Sequence, residues 1–159
     1  MQKQSIVNQM IALSGKKLEM LLQLKELSRK QNEAFKQHQI DEVEGILNKK
    51  DEIINYIQKL DDAFMRASDG LKQLLGIDSL TQLENTDIEG KKELKELIDN
   101  ITALVEEIIS IEKLGYENAV KLQTEFGKEI KQLNAGKKIT NAYNVKPLDN
   151  PSYFIDKKK

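Results

Sequence analysis

The feature that most constrains this chain is a series on a strict three-four step: Val43, Ile46, Lys50, Ile53, Ile57, Leu60, Phe64, Ala67, Leu71 and Leu74. That spacing places every member on one side of an α-helix, and a repeat of this kind is the seam of coiled-coil-like packing. Lys50 is its one polar member. An earlier stripe, Ile6, Met10, Leu13, Met20, Leu24 and Leu27, is widened by Val7, Ile11, Leu18 and Leu21, which predicts another amphipathic helix. A third runs Leu94, Leu97, Ile101, Leu104, Ile108, Ile111, then Gly115, Ala119, Leu122, Phe126, Ile130 and Leu133. Its extra four-residue steps resemble a stutter, which locally unwinds a supercoil.

The boundaries follow from turn and cap chemistry. Gln37-His38-Gln39 interrupts the first pattern, and Asp41 followed by Glu44 predicts a capped start for the second helix. Gly76 suits a left-handed C-cap, with Ile77 placed to fold back on the last turn. Ser79 with Gln82, and Thr86 with Glu89, are two further cap signals, so the connection holds a short helix and the third long helix begins near Asp87. Gly136 before Lys137-Lys138 closes it. The expected architecture is all-α: three long antiparallel helices over 3–36, 41–75 and 87–135 in a coiled-coil-like bundle. Residues 1–136 form that bundle, and 137–159 form a basic, partly disordered, flexible C-terminal tail.

Charge and residue usage exclude several functions. With 25 basic against 26 acidic residues the net charge is -1, so no global field draws in nucleic acid or an anionic membrane. The absence of Cys removes thiolate nucleophiles, Cys-ligated zinc and disulfides. No apolar run reaches the roughly 20 residues of a membrane span, and the polar start leads into no signal-peptide core, so the expected address is the cytoplasm. There is no phosphate loop, nucleophile elbow or dinucleotide fingerprint. His38 lies in the predicted turn, where it reads as a solvated polar residue. A di-metal bundle site needs Glu-x-x-His pairs from facing helices and cannot be built with one His, so Asp61-Asp62 and Glu106-Glu107-Glu112 read as solvated faces. No catalytic residue, cofactor or metal is expected.

What remains is binding. At about 1.5 Å per residue the first two helices run to about 50 Å, whereas a third of about 49 residues runs to about 73 Å. Antiparallel to helix two, it passes the hairpin near Leu122 and leaves Leu122, Phe126, Ile130 and Leu133 without an intramolecular partner. An uncovered apolar stripe marks a site for another helix. Two alternatives stay open: helix one is offset to cover the stripe, or Gly127 breaks the helix and folds it back. The tail carries +4, leaving -5 for the rest of the chain, and it concentrates Tyr143, Tyr153, Phe154 and Ile155. A purely solvating tail would avoid such residues; this one either docks on a partner or packs back over its own bundle.

The segment Ile46 to Arg66, "ILNKKDEIINYIQKLDDAFMR", resembles the part of FlgN-type flagellar export chaperones in which a Lys-bearing turn leads into an apolar run and then Leu, an acidic residue and Arg. Ile111 to Leu133, with Asn118 before Leu122, is similar to the Asn-containing third helix of that family. A Tyr soon after the last helix, Tyr143, and the Lys-rich end Lys157-Lys158-Lys159 continue the likeness. The resemblance implies a cytoplasmic chaperone that binds the helical C-terminal segments of hook-associated proteins, keeps them unassembled and hands them to the export gate. The client would lie on the Leu122, Phe126, Ile130 and Leu133 stripe, and Tyr143 would serve the gate. The alternative is a structural or scaffolding bundle that self-associates through its coiled-coil seam, with a second copy as its partner.

Overall fold

The computed structural model describes residues 2–126, and side chains through residue 124. It contains α1 (Gln2–Lys36), α2 (Ile40–Leu75) and α3 (Lys91–Phe126), with a 3-10 helix over Leu80–Asn85 in the second connection. No strand occurs among the described residues. The expected all-α bundle is therefore observed, with α2 antiparallel to both α1 and α3. Val7 and Met10 of α1 share a core with Leu71 of α2 and Leu94 of α3 at one end. Phe35, Val43 and Leu122 share the core at the other.

α1 is the central helix. It lies close along both neighbours, whereas α2 and α3 approach each other closely almost nowhere. Side-chain size explains this, because α1 brings the buried small residues Ser14, Ser28 and Ala34 to its contacts. Between α2 and α3 stand Leu60 and Phe64 on one side and Ile98 and Ile101 on the other, and their bulk holds the two backbones apart.

The buried seams differ from the apolar stripes of the sequence. On α1 the buried series is Val7, Met10, Ser14, Lys17, Leu21, Leu24, Ser28, Gln31 and Phe35, a regular three-four repeat with four polar members. Ile6, Leu13, Met20 and Leu27 lie one position to its side and are half-buried. On α3 the series is Leu94, Ile98, Ile101, Val105, Ile108, Glu112, Gly115, Ala119 and Leu122, which keeps the alternation throughout. The expected stutter is thus absent from the described residues: it arises from following Leu97, Leu104 and Ile111 in place of Ile98, Val105 and the buried Glu112. α2 follows its predicted series, except that Ile53 and Ala67 are half-buried and Leu74 is exposed where the helix ends.

The connections correct three expectations. α2 begins at Ile40 with Gln39 as N-cap and no side-chain cap, so Asp41 sits inside the first turn rather than before it. There its charge still faces the positive end of the helix dipole. Gly76 takes φ 66°, and Ile77 N–H donates to Lys72 O at 3.0 Å, closing α2 in the expected left-handed cap. The Ser79–Gln82 capping box forms as expected and starts the short helix of the connection, which is 3-10. Thr86 instead ends that helix, its hydroxyl donating to Leu83 O at 2.7 Å.

α3 starts at Lys91, four residues later than Asp87, because the chain ahead of it is held by α1. Gln4 Nε2 donates to Glu89 O at 2.9 Å, and Glu89 N–H donates to Gln4 Oε1 at 3.2 Å. Gly90 then turns at φ 89° with its α-carbon against α1, where an added Cβ would stand 2.8 Å from Ile11 Cδ1. Gly90→Ala is expected to cost about 1–2 kcal/mol from the left-handed backbone alone, with the contact adding to it. Urea unfolding midpoints check this, and an unchanged midpoint would show that the turn relaxes freely.

Candidate functional site

Two arrangements stand out, one inside the bundle and one at its hairpin end. Inside, the polar seam members meet in a single network. Lys50 Nζ donates to Gln31 Oε1 at 2.5 Å and pairs with Glu112 Oε1 at 2.5 Å, while the Ser28 hydroxyl donates to the same carboxylate oxygen. Each helix supplies a member: Ser28 and Gln31 from α1, Lys50 from α2, Glu112 from α3. Lys50 is 0% and Glu112 4% exposed, so this is a desolvated ion pair spanning the gap between α2 and α3. Burial pushes the Lys50 ammonium below its ordinary range; attraction and hydrogen bonding from Glu112, and then the charge of Asp51, pull the other way.

A second buried pair, Lys17 to Asp61 at 2.7 Å, ties α1 to α2. The reading of Asp61 and Glu112 as solvated faces is therefore corrected: each turns inward because a lysine from another helix meets it. Further along, Asn32 Nδ2 donates to Ile111 O at 3.1 Å, in the space left by Gly115, where a Cβ would stand 2.5 Å from Asn32 Oδ1. On the outside Lys25 and Arg29 of α1 pair with Glu107 of α3. Four polar contacts thus fix how α3 lies on α1.

The far end of α3 lies at the hairpin. Ser28 and Glu112 are 84 residues apart and level with each other, which sets Leu122 beside His38. His38 takes φ 58° in a three-residue turn closed by Gln39 N–H donating to Ala34 O at 2.9 Å. Phe35, Lys36 and His38 here face Asn118, Lys121 and Leu122 across a cleft of about 300 Å3. Its floor is apolar, its rim carries two lysines, and Asn118 Nδ2 is buried without a hydrogen-bond partner among the described residues.

Of the residues singled out from the sequence, Leu122 is 4% exposed and belongs to the main core. The expectation that it lacks an intramolecular partner is corrected, since α1 reaches far enough to cover it. Phe126 is the last residue of α3 in the described chain. Ile130, Leu133, Tyr143, Tyr153, Phe154 and Ile155 lie outside the described residues. Sequence reasoning missed the Lys50–Glu112 pair and the cleft around Asn118. The one available signal for the first is Lys50, which stands where the three-four repeat of α2 requires an apolar residue.

Among the described residues no group of three or more His, Asp or Glu side chains is placed to hold a metal ion. No described helix is long and apolar enough to cross a membrane. No curated protein and no solved structure matches the chain. A family model described as FlgN protein matches it over residues 1–146, which takes in all three helices, the polar core and the hairpin-end cleft. The chain belongs to the FlgN family, the flagellar export chaperones.

Proposed function

We propose that this chaperone works in the cytoplasm, where it binds the helical C-terminal segments of hook-associated flagellar proteins, prevents their premature assembly and delivers them to the export gate. The observation that carries this reading is the register at the hairpin. α1 and α2 both end there, level with Leu122, whereas the seam of α3 continues in the sequence as Phe126, Ile130 and Leu133. A helix continued through that series would find neither α1 nor α2 beside it, which suits a helix supplied by another protein. Burial at about 25 cal/mol per Å2 of apolar surface drives such docking without any bond-making chemistry. The client stripe is accordingly Phe126, Ile130 and Leu133, with Leu122 as its buried root. Tyr143 addresses the gate, and Tyr153, Phe154 and Ile155 form a secondary contact.

Calorimetric titration of the full chain with C-terminal segments of hook-associated proteins tests this. The expected result is one-to-one binding at micromolar dissociation constants or tighter, about -8 kcal/mol, lost on removal of residues 127–159. Absence of binding to every such segment would sink the client assignment. Binding unaffected by the truncation would move the site onto the bundle itself.

A further inference from the structure

The outer side of the α1–α2 hairpin carries an open groove of about 400 Å3, lined by Gln23, Glu26, Leu27 and Lys30 from α1 and by Lys49, Glu52 and Ile53 from α2. Leu27 and Ile53 are half-buried at its floor, and the four charged residues are exposed at its rims. None of those four joins an ion pair among the described residues.

Their signs are sorted along the groove. Lys30 and Lys49 adjoin Gln31 and Lys50, whose hydrogen bond makes them level, so both lysines lie toward the hairpin. Glu26 and Glu52 lie about one turn farther from it on their respective helices. On α2 the same face continues by four-residue steps to Gly45 on one side and Tyr56 on the other. Tyr56 is 40% exposed, and a Cβ built at the exposed Gly45 meets nothing within 4 Å.

We propose that this face docks a second copy of the chain, with the two α2 helices antiparallel about a two-fold axis. That placement sets Lys49 of each copy against Glu52 of the other, and Tyr56 of each over the bare backbone at Gly45 of the other. Both pairings share one centre, between residues 50 and 51, as a single two-fold axis demands. The parallel placement would set Lys49 against Lys49 and Glu52 against Glu52, so charge selects the antiparallel one. This face is distinct from the coiled-coil seam, which is consumed within one chain, and it leaves the far end of α3 free for another partner.

Sedimentation equilibrium of the full chain over a rising concentration series is expected to pass from 18.2 kDa to twice that mass. Each charge contact occurs twice about the axis, so Glu52→Lys alone, or Lys49→Glu alone, converts two attractions into two repulsions. Either is expected to raise the dimer dissociation constant at least about tenfold. The combined swap, Lys49→Glu with Glu52→Lys, restores complementarity and the wild-type constant, which a merely misfolded variant would not do. In this Cys-free chain, oxidised Gly45→Cys/Tyr56→Cys should give a covalent dimer. A wild type monomeric at every concentration, single reversals without effect, or a helical double swap that fails to recover would each overturn the proposal.

Discussion

Replacing Lys50 by Met is expected to lower the unfolding free energy by about 3–5 kcal/mol, because it leaves the Glu112 carboxylate buried without its counter-ion. The effect should not be read as the worth of the pair. Lys50→Met with Glu112→Leu should recover only part of the loss, since the Ser28 hydroxyl and Gln31 amide then lose their partners, at about 1–3 kcal/mol each. Adding Ser28→Ala and Gln31→Leu should return stability to wild type or above, as all-apolar replacements of buried ionic clusters do. Denaturant unfolding of the three variants measures this, and a single Lys50→Met loss below about 1 kcal/mol would show that Glu112 finds water.

Protonation offers a second readout of the same group. Lys50 holds its proton less tightly folded than unfolded, so the unfolded chain carries more protons between the lowered value and the ordinary 10.5. Stability contributed by this group therefore rises with pH across that window. The four-site apolar variant should lack the rise.

The other large effect separates Leu122 from the residues that follow it. Leu122→Asp puts a charge into the core and is expected to cost several kcal/mol. Phe126→Asp with Ile130→Asp is expected to stay within about 0.5 kcal/mol per site, the usual range for surface substitutions. The same double variant should weaken client binding at least about tenfold, or 1.4 kcal/mol. Melting temperature and client affinity would then part company one helical turn beyond Leu122. A double variant that melts as early as Leu122→Asp would show that the bundle covers the whole stripe. A double variant with unchanged stability and unchanged affinity would move the client to Tyr153, Phe154 and Ile155.

The hydrophobic pattern carried the architecture well where the seam is apolar. The seam of α2 was largely legible, although the buried Asp61 and Ser68 beside it were not, and Gly76 and Ser79 announced their caps. α1 was legible as a helix but not in its facing. Ser14, Lys17, Ser28 and Gln31 occupy seam positions, and no periodicity of apolar residues can find them. Glu112 misled the reading of α3 in the same way, and the register taken through Leu97, Leu104 and Ile111 produced the stutter. The start of α3 was missed because Thr86 and Glu89 make a sound local cap signal, overridden by the bond of Gln4 to Glu89, which joins residues 85 apart. The hairpin-end cleft was out of reach for a related reason: Phe35, Lys36 and Asn118 come together only once the register of α1 on α3 is set.

The central place of α1 also bears on the order in which the chain can fold. α1 is synthesised before α2 and α3, yet both of its faces remain uncovered until those segments arrive. α2 can return onto it across a three-residue turn, a local event of the kind that forms quickly. α3 must close a far longer loop before Glu112 meets Lys50. Until it does, the nascent hairpin holds the Lys50 ammonium without its counter-ion along one open apolar side. Completion of the chaperone then waits on α3, the helix to which the proposed client stripe belongs.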